Sequence, residues 1–170
     1  AIRSLNKGAK LGGFAHDTGE GAVSPYHLQG GDLVWEIGTA YFGCRTADGG
    51  FNPDRFAELC RQTDAIKLIS IKLSQGAKPG LGGVLPGEKV TQEIADTRGV
   101  PVGQTVVSPG YHSAFDGKKG LVDFVVRLRE LSGNLPTGFK LCVGERAQFL
   151  AVLRAMIAAD AYPDFIIVDG

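Results

Sequence analysis

The chain has 170 residues, 44% of them hydrophobic and 21% charged, a balance that supports a buried core and excludes a disordered polar segment. Lys plus Arg and Asp plus Glu number 18 each, so the formal net charge is zero, which excludes a basic nucleic-acid stripe and a polybasic membrane tail. Cys44, Cys60 and Cys142 are odd in number and match no CxxC spacing, which excludes a disulfide framework and a thiolate metal centre. With no signal-like or bilayer-spanning run, a cytoplasmic protein is expected.

In chain order, Ala1–Leu11 carries a weak helical face through Ile2, Leu5 and Ala9 and stops at Gly12-Gly13. Phe14–Pro25 reads as irregular. Asp32–Gly38 alternates as a strand, with Leu33, Trp35 and Ile37 on one face and Glu36 on the other. Pro53–Gln62 is expected to be a helix capped by Asn52. Ile66–Ser74 alternates again, placing Ile69, Ile71 and Leu73 opposite Ser70, Lys72 and Ser74. The loop behind it, through Gly87, is glycine-rich and suits close approach to a ligand, with Pro79 and Pro86 stiffening its path.

Val90–Thr97 reads as a short helix closed by Arg98-Gly99, and Gln104–Ser108 as a further strand. Gly120–Leu131 has a strong apolar face formed by Leu121, Phe124, Val125, Leu128 and Leu131. Thr137–Val143 places Lys140 and Cys142 opposite Phe139 and Leu141. The helix Ala147–Ala159 and the strand Asp164–Asp169 complete the pattern. Successive strand–loop–helix units predict an α/β fold with parallel strands, a partial (β/α)8 TIM barrel. A whole barrel takes roughly 250 residues, so residues 1–170 are expected to form a single domain that is an incomplete barrel. The opening without Met inside a helix and the ending on a strand carry the same expectation.

Glu36, Lys72 and Lys140 fall at corresponding places on the inner faces of three strands. Buried cations need an anion or an electron-rich group, and a purely structural salt bridge with Glu36 is the competing reading. Lys140 stands where a flavin's electron-rich ring edge would receive a cation. Gln75, Lys78 and Arg98 form a candidate dicarboxylate clamp, in which Arg supplies a planar fork, Lys a point charge and Gln an amide. Glu20, between glycines in DTGEG, is a candidate for proton management at an imine, against the plainer reading of an exposed turn acid. His16, His27 and His112 read as hydrogen-bonded loop residues, and Asp17 and Asp169 fit either reading.

The segments TGEGAVSPYH, IKLSQGAKPGLGGVLPGEKVTQEIADTRG, SPGYHSAFD, FKLCVGERAQF and DFIIVDG, in this order, resemble the FMN-binding domain of glutamate synthase from about Gly13 onward. The resemblance implies an FMN-linked oxidoreductase that reduces 2-iminoglutarate, formed from 2-oxoglutarate and ammonia, to L-glutamate. By that similarity Glu20 and Lys72 are catalytic, Gln75, Lys78 and Arg98 bind substrate with Lys72, and Lys140 contacts FMN.

It also implies an iron–sulfur cluster in the intact protein, with ligands outside this chain, and a glutaminase or electron-donor partner. The chain departs from the family pattern at Ala22, where GEGG reads GEGA, and at Cys142, where LCVGE replaces LVSE. The glycine-rich flavin-phosphate segment would follow Gly170. Two alternatives stand beside this expectation: a flavin oxidoreductase acting on another small carboxylate, and an inactive, assembly-dependent barrel fragment that associates as a homo-oligomer.

Overall fold

A computed structural model describes residues 1–78 and 80–170; Pro79, expected to stiffen the loop, lies outside the described residues. The central feature is a curled sheet of five parallel strands in the order β1-β2-β3-β6-β7. These are β1 (His16–Asp17), β2 (Leu33–Ile37), β3 (Ile66–Lys72), β6 (Thr137–Leu141) and β7 (Ile166–Val168). A separate antiparallel pair joins β4 (Val84–Leu85) to β5 (Val106–Val107). The helices are α1 (Ile2–Gly12), α2 (Pro53–Gln62), α3 (Gln92–Arg98), α4 (Gly117–Leu131) and α5 (Arg146–Ala159).

Parity along the strands decides which side chains pack. Leu33, Trp35, Ile37, Ile69, Ile71 and Phe139 are almost fully buried on the face that meets the helices. All of these but Leu33 share one core with Phe56 of α2, with Leu121, Phe124, Val125 and Leu128 of α4, and with Met156 of α5. Trp35 stacks on Phe56 at 5.2 Å between ring centroids. The opposite face carries Glu36, Ser70, Lys72 and Lys140, in agreement with the alternation in the sequence.

Capping explains the sharpest helix boundary. Asn52 Oδ1 accepts the Arg55 N–H at 3.1 Å and Pro53 follows with its φ already set, so α2 begins where the sequence predicts. The α3 helix starts at Gln92 because Thr91 Oγ1 accepts the Ile94 N–H, and it closes on Gly99 at φ +68°. Two sequence expectations are amended. Part of the segment read as irregular forms β1, which pairs parallel with β2 through His16–Leu33 and Asp17–Val34. The strand expected around residues 104–108 shortens to Val106–Val107 and pairs with Val84–Leu85, outside the five-stranded sheet.

The β3–β6 connection is the long one. It contains the β4–β5 pair, α3 and α4, and its first part folds over the C-terminal ends of the strands. That is the end at which a parallel β/α sheet presents its loops to ligands. Ser108 N–H donates to the Gly83 carbonyl at 2.8 Å, anchoring the glycine-rich loop to this rim.

Candidate functional site

Glu20 is presented by a turn directly after β1. Asp17 Oδ1 accepts the Gly19 N–H at 2.7 Å, and Gly19 takes φ +67°, which reverses the chain. Gly38 leaves the room that the carboxylate occupies, since a Cβ there would stand 2.8 Å from Glu20 Oε2. Ala22, which replaces the last glycine of the motif, adopts φ +75°, a left-handed conformation that costs an L-residue roughly 1–2 kcal/mol. The small side chain is retained and buried against its neighbours, but the backbone conformation is one that glycine takes without strain.

Lys72 ends β3 and pairs with Glu20 at 3.3 Å, its side chain 13% exposed. Lys72, Glu20, Thr39, Gln75 and Lys78 surround a cavity of about 20 Å³, enough for a water and too small for a metabolite. Beside it, Glu20, Lys78 and Arg98 share a second cavity of about 220 Å³. Arg98 lies with its guanidinium carbon 4.8 Å from the centre of the Phe42 ring, a cation–π placement that holds the fork flat. The glycine at 21 permits this approach, because a Cβ there would lie 3.3 Å from Arg98 Nη2.

The candidate residues therefore converge on Glu20 in two adjoining groups. Lys72, Gln75 and Lys78 line the closed side, while Lys78 and Arg98 line the roomier one. Three cations meet one carboxylate across the two cavities, leaving a local excess of positive charge suited to a dianion.

Lys140, the penultimate residue of β6, lies level with Lys72 in the β3–β6 register. Its ammonium donates to Glu36 Oε2 at 3.2 Å and lies 3.6 Å from Asp169 Oδ1. Burial raises the Glu36 carboxyl above its usual range, and Asp17 adds to this, outweighing the pull of Lys140. Partial burial draws Lys140 downward, but Glu36 and Asp169 together hold it above the ordinary lysine value. The structural salt bridge weighed from the sequence is thus present for Lys140, whereas Lys72 takes Glu20 as its partner.

Several contributors were not visible as such in the sequence. Asp169 also accepts the Gly76 N–H at 2.7 Å, tying the start of the glycine-rich loop to the strand β7 end. That contact lowers the Asp169 carboxyl below its ordinary value. Phe42 supplies the floor for Arg98, and only its position in AYFG, two residues past the strand's turn, hinted at it. His112 is buried and hydrogen-bonded on both ring nitrogens, as the sequence reading expected of a histidine without a ligand role. Among the described residues no group of three or more His, Cys, Asp or Glu gathers as a metal site, and no helix is long and apolar enough to cross a membrane.

A family profile described as the conserved region in glutamate synthase matches residues 1–170. The chain belongs to the glutamate synthase family. It is 39% identical over 172 residues to the glutamate synthase large subunit-like protein YerD of Bacillus subtilis, covering 100% of this chain and 32% of that protein. It is 32% identical over 173 residues to the archaeal-type glutamate synthase [NADPH] of Thermotoga neapolitana, covering 100% of this chain and 30% of that protein. A stretch of 103 residues, 60% of this chain, is 41% identical to the archaeal glutamate synthase [NADPH] of Methanocaldococcus jannaschii, covering 19% of that protein. The chain spans about a third of the length of the first two relatives. Its glutamate synthase stretch thus contains both the Glu20–Lys72 pair and the Lys140–Glu36 pair.

Proposed function

We propose that this stretch is the 2-oxoglutarate side of a flavin-dependent, cytoplasmic glutamate synthase barrel, which reduces 2-iminoglutarate to L-glutamate. The observation that carries the proposal is the Glu20–Lys72 pair at the carboxyl rim of a parallel sheet, with Gln75, Lys78 and Arg98 ranged around the same carboxylate. Bound FMN would supply the hydride that adds to the imine carbon. Lys140 suits the flavin's ring edge, because its ammonium stands at a strand end beside the open rim and is held charged by Glu36 and Asp169. Two of the chain's three thiols do not suit an iron–sulfur cluster: Cys44 lies in the core, and burial pushes the Cys60 thiol up to about 12.

The protein's own work in this reaction is placement and charge. Lys78 and Arg98 hold the distal carboxylate, and Lys72 with Gln75 holds the carboxylate next to the imine. Glu20 accepts a hydrogen bond from the iminium N–H, orienting the carbon's open face and favouring the charged nitrogen that makes that carbon electrophilic. Hydride addition would make the iminium carbon sp3 and its nitrogen a neutral amine, which then takes a proton from solvent to become the ammonium, with Glu20 as its counter-charge. The Glu20 carboxylate must loosen from Lys72 for this. The two carboxylates of the substrate give Lys72 a replacement partner, so the exchange conserves charge within the site.

The test uses the intact protein that carries these residues, loaded with FMN, with L-glutamate measured from 2-oxoglutarate, ammonia and a reductant. Glu20→Gln and Lys72→Met are expected to lower turnover by about 100-fold or more while leaving flavin absorbance unchanged. Absence of 2-oxoglutarate binding at millimolar concentration, or formation of a different reduced product, would overturn the proposal.

A further inference from the structure

His112 is 5% exposed and both of its ring nitrogens are engaged. Nε2 lies 2.8 Å from the backbone carbonyl oxygen of Lys72, and Nδ1 lies 3.1 Å from the Tyr41 hydroxyl. A carbonyl only accepts, so Nε2 carries the hydrogen. In a neutral ring Nδ1 is then the acceptor and takes the Tyr41 proton. The Tyr41 oxygen in turn accepts the Ala114 N–H at 3.0 Å. The donors run in one direction, from Ala114 through Tyr41 and His112 to Lys72, and every member is satisfied.

The carbonyl at the end of this chain needs such a donor. The pairing of β2 with β3 ends at Ile37–Ile71, and β2 then turns, with Tyr41 N–H bonding back to Gly38. The Lys72 carbonyl lies one step past that ladder, on the edge that β2 has left. His112 takes the place of the missing strand. Its ring is fixed by Phe115, stacked at 5.2 Å and 21°, and by Tyr41, tilted at 5.3 Å. Tyr41 is fully buried and holds φ +50°, a conformation uncommon for a bulky residue and retained where surroundings enforce it. Burial also lowers the His112 pKa, which keeps the ring neutral.

We propose that His112, oriented by Tyr41, is a positioning residue that fixes the end of β3 and thereby aims the Lys72 ammonium at Glu20. It touches neither substrate nor flavin. The catalytic consequence rests on the proposed function, while the geometry is testable without it. Three variants separate the terms: His112→Phe keeps the stacked ring and removes both nitrogens, His112→Gln returns an amide N–H that reaches the carbonyl, and Tyr41→Phe removes the orienting hydroxyl. In the intact protein, 15N spectra of the imidazole report the tautomer, and 13C-methylated lysine spectra report the Lys72 environment, assigned with Lys72→Arg.

The wild type is expected to show a protonated Nε2 and an unprotonated Nδ1. In His112→Phe the Lys72 resonance moves to where Glu20→Gln places it, and 2-oxoglutarate affinity falls by roughly 100-fold. His112→Gln restores most of both, and Tyr41→Phe shows a smaller displacement of the same sign. A wild-type ring protonated on Nδ1, or a folded His112→Phe with an unmoved Lys72 resonance, overturns the inference. If His112→Phe fails to fold, the wild-type tautomer together with the Gln and Tyr41→Phe variants decides it. A wild type that binds no 2-oxoglutarate overturns the proposed function alone, because the lysine and imidazole spectra still judge the brace.

Discussion

At the scale of residues, Lys140 and Glu36 are unequal partners. Glu36 is 3% exposed and Lys140 is 21% exposed at the side chain, so the acid carries the heavier desolvation. Replacing Glu36 with Gln removes a buried charge while preserving shape, and Asp169 remains beside the lysine. Replacing Lys140 with Met strands the acid without its cation. Glu36→Gln is therefore expected to change stability by less than about 1 kcal/mol, and Lys140→Met to cost roughly 3 kcal/mol at neutral pH. The Glu36 carboxyl already titrates above its unfolded value, so its protonated form favours the fold, and its stability contribution is lost as pH rises. Lys140→Met widens that gap. Urea melts should show its deficit growing between pH 5 and pH 8; a deficit that shrinks with rising pH would refute this assignment.

At the scale of elements, the helices that cover the sheet depend on two different kinds of contact. Leu128 of α4 is fully buried between the strands and the neighbouring helices. Truncation to Ala should cost about 2–5 kcal/mol and lower the melting temperature accordingly. Asn52→Ala removes only the cap of α2 and should cost about 1 kcal/mol. Calorimetry that ranked the two in the reverse order would contradict the packing described.

Elements with a cap or a long apolar stripe are also those legible in the sequence: α2 matched at both ends, and the alternation of β2, β3 and β6 placed Glu36, Lys72 and Lys140 on one face. The strand β1 was not legible, because two residues carry no periodicity and His16–Asp17 becomes a strand only by pairing with Leu33–Val34. Val106–Val107 read as a strand, but its partner could not be deduced, since antiparallel pairing with Val84–Leu85 depends on how the glycine-rich loop folds back. Within the site, parity gave the lysines but not their partners. Which acid meets which lysine depends on the turn after β1 and on Gly38, both settled only in three dimensions.

At the scale of the whole molecule, two buried histidines couple the fold to pH. His27 bonds Ser24 through Nδ1 and helps close the loop after Glu20, while His112 secures the end of β3. Burial lowers the pKa of both below the ordinary histidine value of 6.5. Each folded-state pKa thus lies under its unfolded value, so the unfolded chain takes up protons first. Their contribution is fully present above pH 6.5 and is lost as pH falls through the folded-state values. His112 alone can account for at most about 1.4 kcal/mol per pH unit within that window. Glu36 acts with the opposite sign, because protonation relieves its burial, and so softens the loss at the acid end of the range. Asp164 and Asp169, both held below their ordinary value, add a further loss only below about pH 4. Urea midpoints should therefore decline as pH falls from 6.5 to 5, and His112→Gln should flatten part of that decline, since an amide does not titrate. A midpoint that stays constant or rises over this interval would mean that protonated histidines are tolerated at both places, and the neutral imidazole bonded to Lys72 would lose its support.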